Sequence, residues 1–334
     1  MMIITRSYPR AALIGNPSDG YFGKTIAFVF SNYAAEVCLY ESPEIEILPS
    51  KYDSQVYKSM EDLAGDVHLY GYYGGIRLIK AAIKVFYEYC RKNGISVAKK
   101  NFTVRYSSSI PFGLGLAGSS AIITACVKAM MQFFGVDIPK PVFANLVLSV
   151  ENVELHIAAG LQDRVAQAYE MPVFMDFDRD IMKKQGYGRY ETFSPSLLPD
   201  LYIAYRTDLA EGSEIVHNNF RERYNLGDIK VLEAISQWSE LTVTVKELLL
   251  NERKNEIGPF LDRNFDIRRS VMNISDRNIQ MVETARATGA SAKFTGSGGA
   301  IIGTYKGEAM FNALCKELKK LRVEVFKPVV VCNS

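Results

Sequence analysis

Between Pro111 and Ala121 the chain reads Pro111-Phe-Gly-Leu-Gly-Leu-Ala-Gly-Ser-Ser-Ala121, a spacing of small residues suited to holding phosphate. Gly113, Gly115 and Gly118 remove side chains where backbone N–H groups would approach an anion. Ser119 and Ser120 open an apolar run from Ala121 to Phe134 that reads as a buried helix. Glycines leading into a helix N-terminus leave free amides at the positive end of the dipole, which attracts phosphate. The glycines have Walker A spacing, but Ser119-Ser120 stands where that motif requires Lys followed by Ser or Thr. They also spell a dinucleotide fingerprint, which needs a buried strand before it and a strand ending in an acid after it. Here Phe102–Tyr106 alternates like a half-exposed strand, and Pro139, Pro141 and a further helical pattern follow. Both templates fail by context. A phosphate loop of another kind, or a glycine turn capping a core helix, remains.

Two more segments have the make-up of ligand-binding turns. Arg10-Ala-Ala-Leu-Ile-Gly-Asn-Pro-Ser-Asp19, followed by Tyr21-Phe-Gly-Lys24, sets a polar turn directly after an apolar strand. Lys293-Phe-Thr-Gly-Ser-Gly-Gly-Ala300 is a glycine cluster between two short strands, by itself an ordinary hairpin turn.

The elements that must position these turns follow from apolar periodicity. Strands are predicted near Ala11–Ile14, Thr25–Phe30, Ala34–Tyr40 and Asn101–Tyr106, with helices over about Tyr72–Lys92 and Ser120–Phe134 and from Val142 towards His156. After Pro172 come strands at Val173–Phe177 and Leu201–Tyr205 and helices at Ile229–Leu250 and Arg277–Ala287. Strand Ala292–Phe294, strand Ala300–Thr304, helix Gly307–Lys320 and strand Val323–Val331 close the chain. Helices and strands mix without regular βαβ alternation, so the fold class is α+β in two domains, 1–172 and 173–334.

The 334 residues suffice for two packed cores, and a formal net charge of +2 with no basic run argues against a nucleic-acid partner. The five cysteines are scattered among apolar neighbours without a C-x-x-C pair, as in reduced, packed thiols. No apolar leader or membrane-length run is present, so a cytoplasmic protein is expected. His68, His156 and His217 show no zinc or triad spacing, and Trp238 with Tyr70, Tyr72 and Tyr73 read as packing.

Taken in order, the three turns resemble the motifs of the GHMP kinases: an N-terminal substrate segment, a central Pro-x-x-x-Gly-Leu-x-x-Ser-Ser-Ala loop and a C-terminal Lys-x-Thr-Gly-x-Gly loop. Within that family, Gly15–Asp19, Tyr72–Leu78, Ala159-Gly-Leu-Gln-Asp-Arg-Val-Ala-Gln167 and Asn264-Phe-Asp-Ile-Arg-Arg269 are similar to the glucuronokinase branch. Asn16-Pro-Ser-Asp19 stands where galactokinases have Glu-His-Thr-Asp. The resemblance implies an N-terminal domain like the second domain of ribosomal protein S5 and a ferredoxin-like C-terminal domain. It also implies transfer of phosphate from ATP to the anomeric hydroxyl of a sugar acid, D-glucuronate. Galacturonate, a heptose or a related sugar is the alternative acceptor. A non-catalytic sugar and ATP sensor is the alternative outside enzymes.

Carried onto this sequence, the family's roles give a specific set of residues. Asp163 would accept the hydroxyl proton, with helix capping as its structural alternative. Arg10 would offset charge on the transferring phosphoryl group. ATP would lie on Pro111, Gly113, Gly115, Leu116, Ala117, Gly118, Ser119, Ser120 and Ala121, with Gly296, Ser297 and Gly298 completing the site. Without a Walker lysine, Mg²⁺ would neutralise the phosphates, held by Ser119 or Ser120 and by Glu151, or by Glu154 one helical turn on. Asn16, Ser18 and Asp19 would bind the sugar hydroxyls. The acid's carboxylate would need a cation from among Arg77, Lys24, Arg164 and Arg206, of which Lys24 and Arg164 lie nearest the motifs.

Overall fold

The computed structural model describes residues 2–50, 53, 59, 74–207 and 220–332; His68, Tyr70, Tyr72, Tyr73 and His217 lie outside them. In chain order the described strands are β1 (Met2–Ser7), β2 (Arg10–Ile14), β3 (Lys24–Val29), β4 (Ala35–Ser42), β5 (Glu46–Leu48), β6 (Asn101–Ser108), β7 (Val173–Asp176), β8 (Arg189–Thr192), β9 (Leu201–Arg206), β10 (Lys293–Phe294), β11 (Ala300–Thr304) and β12 (Val323–Phe326). The α-helices are α1 (Gly75–Lys92), α2 (Gly118–Phe134), α3 (Lys140–Ser149), α4 (Leu161–Tyr169), α5 (Arg179–Gln185), α6 (Phe220–Asn225), α7 (Ile229–Leu250), α8 (Gly258–Val271), α9 (Asp276–Ala287) and α10 (Gly307–Lys319). The fold class is α+β. Residues 1–9, 31–112 and 117–169 form one compact unit, and residues 10–30, 113–116 and 170–334 form the other.

The first unit is a sheet in the order β1-β4-β6-β5 carrying helices α1 and α2. Strands β1, β4 and β6 are antiparallel, with Ile3 opposite Leu39 and Val37 opposite Tyr106, while β5 runs parallel to β6. Helix α1 buries Leu78, Ile79, Ala82, Phe86 and Cys90, one stripe at helical spacing, and leaves its charged residues outside. Phe86, Phe102, Phe133 and Phe134 meet in ring contacts that lock both helices to the sheet. The polar Thr5, buried on β1, is satisfied by donating to the Ala125 carbonyl of α2 at 2.7 Å.

In the second unit two antiparallel sheets, β2-β3-β7-β8 and β10-β11-β9-β12, are packed with helices α7 to α10. One core joins Tyr202, Phe265, Met281, Phe294, Ile301 and Leu314; another surrounds Trp238 with Phe220, Val231 and Ile267. Trp238 is fully buried and its indole N–H donates to the Asn264 carbonyl at 3.0 Å, which fixes α7 against α8.

Several boundaries depart from the periodicity reading. Helix α2 starts at Gly118, two residues before the predicted Ser120. The helix predicted towards His156 ends at Ser149 and continues as a wide π-helical turn over Val150–Glu154. Strand β12 stops at Phe326, ahead of Pro328, which lacks the N–H a ladder needs; only an isolated bridge from Phe30 to Val330 follows.

Candidate functional site

In the first unit Ser119, Glu151, Asp163 and Arg164, all singled out from the sequence, converge. Ala117 begins α2 in the left-handed region at φ 63°, a conformation costly for a residue with a Cβ and concentrated at functional turns. Its carbonyl accepts from the Ala121 amide at 3.2 Å, from Ser120 Oγ at 3.1 Å and from Gln167 Nε2 at 3.0 Å. Ser120 is therefore buried and closes the first turn of the helix. Ser119 points elsewhere: its hydroxyl donates to Glu151 Oε1 at 2.8 Å. The π-helical turn, a widened geometry recurrent at functional sites, carries Glu151 inward, where only 1% of its side chain is exposed. Glu154 instead pairs with Lys84 at 2.6 Å on the exposed side.

Arg164 completes this group. Its side chain is 4% exposed, and Nε donates to Glu151 Oε2 at 2.8 Å, with Nη2 on the same oxygen. Nη1 donates to the Gly160 carbonyl at 2.7 Å and lies 3.3 Å from Asp163 Oδ2. One guanidinium thus spans the carboxylate beside Ser119 and the carboxylate expected to take a proton. Asp163 is the third residue of α4, within its first turn, rather than the residue that caps it. Arg164 is thus already paired with two protein carboxylates, Glu151 and Asp163.

In the second unit the N-terminal segment and both glycine loops are sewn together. The Arg10 amide donates to the Leu116 carbonyl at 3.1 Å, and its buried guanidinium donates to the Thr295 carbonyl. The Ala12 amide also donates to Thr295 O, at 3.1 Å, and buried Lys293 Nζ donates to Ala12 O at 2.6 Å. Gly115, at φ 65°, lies so close to the other loop that a Cβ on it would stand 2.8 Å from Ser297 N. A Cβ on Gly296 would stand 2.2 Å from Gly115 O. Neither loop could make this approach with side chains at those positions.

The turn after β2 is equally determined. Gly15, at φ 90°, abuts the Lys24 carbonyl, which a Cβ would meet at 2.1 Å. Asn16 is buried and donates from Nδ2 to Phe294 O at 3.3 Å and Gly296 O at 3.5 Å, while its Oδ1 has no partner. Ser18 donates to Lys24 O at 2.9 Å, and Asp19 is half-buried. Lys24 faces Asp176 at 2.5 Å, so this cation, like Arg164, already has a protein carboxylate. Arg77 is exposed on α1, and Arg206 ends β9.

Periodicity gave no hint of α8, and with it Asn264 and Arg268 were missed as buried groups that hold the backbone of residues 15, 16, 296 and 297. Asn264 is 1% exposed and Arg268 8% exposed. Burial lowers the Arg268 guanidinium to about 10 against a partial restoring effect of Asp19, and burial together with Arg268 and Arg10 holds Lys293 well below its ordinary value. The available signal was the i, i+4 spacing of two polar residues inside Asn264-Phe-Asp-Ile-Arg-Arg269.

Among the described residues no three His, Cys, Asp or Glu side chains cluster as a metal site. The Ser119 hydroxyl and the Glu151 carboxylate are two hard oxygen donors, which suits Mg²⁺, an ion that keeps waters and takes phosphate oxygens for its remaining positions. No described helix is long and apolar enough to cross a membrane.

The chain is similar to several known proteins. Residues 77–171 match the GHMP kinases N terminal domain. The chain is 41% identical over 304 residues to probable glucuronokinase 2 of Arabidopsis thaliana, covering 89% of this chain and 82% of that one. It is 40% identical over 303 residues to glucuronokinase 1 of the same plant, covering 89% and 83%. The crystal structure of Lactococcus lactis galactokinase complexed with galactose superposes with a TM-score of 0.77 at 14% identity, covering 99% of this chain and 94% of that one. That level of identity speaks to a shared fold.

Proposed function

From the premise that this chain belongs to the GHMP kinases, we propose that it is an ATP-dependent sugar-1-kinase that phosphorylates D-glucuronate to D-glucuronate 1-phosphate. The substrate comes from relatives at 40 and 41% identity that are named glucuronokinases. The single observation that carries the chemistry is the Ser119 hydroxyl held 2.8 Å from the buried Glu151 carboxylate at the start of the helix that follows the glycine loop. Phosphate-binding amides, a hydroxyl and a carboxylate meet there, which is what a loop without a Walker lysine needs in order to bind Mg-ATP.

The residues divide the work of phosphoryl transfer, which is mostly positioning and charge neutralisation. The amides of residues 113–121 bind the polyphosphate, and Gly296, Ser297 and Gly298 border it. Ser119 and Glu151 hold Mg²⁺, which when bound supplies positive charge to the phosphate oxygens. Arg164 orients Glu151 through its two hydrogen bonds to Oε2. Asp163 accepts the proton of the anomeric hydroxyl, and Arg10 balances charge on the phosphoryl group in flight. Asn16, Ser18 and Asp19 take the sugar hydroxyls. Lys24, at the end of the same turn and only partly buried, exchanges Asp176 for the uronate carboxylate. Residues 1–172 constitute the kinase N-terminal domain in this reading, and 173–334 the C-terminal domain.

The test is ADP release over a panel of free sugars and uronic acids, with and without Mg²⁺. Glucuronate-dependent, Mg²⁺-dependent ADP release is expected. Release that ignores the sugar, or that favours glucose or galactose, overturns the assignment of substrate. Binding of sugar and ATP without any ADP release would favour the sensor alternative.

A further inference from the structure

Asn264 and Arg268 lie one helical turn apart on α8, on one face of the helix, and both are buried. Asn264 grips the turn that follows β2: Oδ1 accepts from the Gly15 amide at 2.7 Å, and Nδ2 donates to the Asn16 carbonyl at 3.1 Å. Both hydrogen-bonding ends of this amide are engaged, and both partners are backbone. Arg268 grips the second glycine loop in the same manner. Its Nη1 donates to Gly296 O at 2.7 Å and its Nη2 to Ser297 O at 3.0 Å, while the guanidinium stacks over the Phe294 ring 5.0 Å from its centroid. Asn16 closes the circuit by donating to the same Gly296 carbonyl.

The partners make this more than core packing. Neither Arg268 nor Lys293 has a carboxylate within ion-pair distance among the described residues, and Arg268 Nε, also buried, has no partner. A buried guanidinium that serves only stability would be expected to face a carboxylate. Here its two gripped oxygens are backbone carbonyls of the loop whose glycines touch Gly115 of the phosphate loop. Asp19, at longer range, is the carboxylate that its charge feels. One helix face therefore sets the register of the Gly15–Asp19 turn against the loop at 296–298, and through Gly296 against the phosphate loop.

We infer that Asn264 and Arg268 are positioning residues that couple sugar binding to nucleotide binding, so that each ligand is bound more tightly when the other is present. This rests on the reading above, in which the Gly15–Asp19 turn takes the sugar and the two glycine loops take ATP. Ordering one turn fixes, through α8, the loop that the second ligand needs, and such coupling is reciprocal by linkage.

The experiment is titration calorimetry of glucuronate and of a non-hydrolysable ATP analogue, each alone and in the presence of the other. In the wild-type enzyme each ligand should tighten the other by about fivefold or more. Arg268→Lys keeps a cation but cannot span two carbonyls; it should weaken the ATP analogue by about tenfold, leave glucuronate alone nearly unaffected, and remove the coupling. Asn264→Ser should do the converse, weakening glucuronate and removing the coupling. Thermal unfolding identifies a variant that does not fold, in which case the other variant carries the same comparison. Coupling retained in a folded variant overturns the inference, as does equal weakening of both ligands with the coupling intact. Wild-type enzyme that binds both ligands without coupling overturns the inference while the kinase assignment stands. Wild-type enzyme that binds neither ligand overturns both.

Discussion

Replacing Arg164 by Met should act first on stability and only through it on the site. Arg164 makes two hydrogen bonds to one oxygen of Glu151, whose side chain is 1% exposed, and a third to the Gly160 carbonyl. Methionine fills much of the volume but leaves a carboxylate buried without its cation, and breaking a buried pair from one side costs about 3–5 kcal/mol. For a domain of the usual size each kcal/mol lowers Tm by about 2–4 °C, so a fall of roughly 6–20 °C is expected by differential scanning calorimetry. The double variant Arg164→Met/Glu151→Leu removes the stranded charge and should recover most of that loss, because an apolar pair of similar volume is often neutral or stabilising. It should nevertheless remain inactive, since it lacks the carboxylate proposed to hold Mg²⁺. A drop of less than about 1 kcal/mol in the single variant, in the range of an exposed ion pair, would show that Glu151 does not depend on Arg164 in this way. So would a single variant that keeps its stability and changes only its preference among sugars, the result expected if Arg164 read the substrate.

Other outcomes follow from individual contacts. Asp163→Asn should bind ATP and glucuronate nearly as the parent does but lose about two to four orders of magnitude in kcat, because the amide cannot take the proton; retained kcat returns Asp163 to a helix-terminal role. Gly115→Ala should raise KM for ATP at least about tenfold without altering sugar affinity, since its Cβ would meet Ser297 N at 2.8 Å in a left-handed backbone that itself costs about 1–2 kcal/mol. Gly118→Ala, whose Cβ would only touch Ile110 at 3.4 Å, should be much milder, and equal effects at the two glycines would contradict this view of the loop. Burial holds Lys293 well below its ordinary 10.5, so beneath 10.5 the unfolded chain binds a proton that the folded one resists, and stability should rise as pH climbs towards 10.5. Urea midpoints of Lys293→Met should lack that rise; a rise equal to the parent's would remove Lys293 as its source. Lys24→Met should narrow the kcat/KM preference for glucuronate over glucose while sparing ATP use, and an unchanged ratio would place the carboxylate elsewhere.

What was legible in the sequence was whatever the chain states locally. Helices α7, read from Ile229 to Leu250, and α10, read from Gly307 to Lys320, were legible because an apolar stripe at helical spacing is visible without any partner. The glycine loops were legible because φ above zero and close backbone approach leave few residue types possible, as at Gly15 and Gly115. Helix α8 was not, since its inner face carries Asn264 and Arg268, polar side chains that look like surface until the carbonyls of residues 16, 296 and 297 are seen around them. Strand β1 was missed for a similar reason, with Thr5 and Ser7 buried where alternation leads one to expect apolar residues. The different surroundings of Ser119 and Ser120 at the start of α2, and of Glu151 and Glu154 on a π-helical turn, are contacts that no periodicity encodes. The pairing of Lys24 with Asp176, far apart in sequence, was likewise out of reach.

We propose that this kinase places phosphate on the anomeric oxygen of a uronic acid. The direct measurement is ³¹P and ¹H NMR of the product formed from glucuronate, ATP and Mg²⁺. One new phosphate monoester signal is expected, coupled to the anomeric proton and absent when Mg²⁺ or the Asp163 carboxylate is removed. Phosphate found at another carbon, or no product from glucuronate while a neutral sugar is phosphorylated, would contradict it.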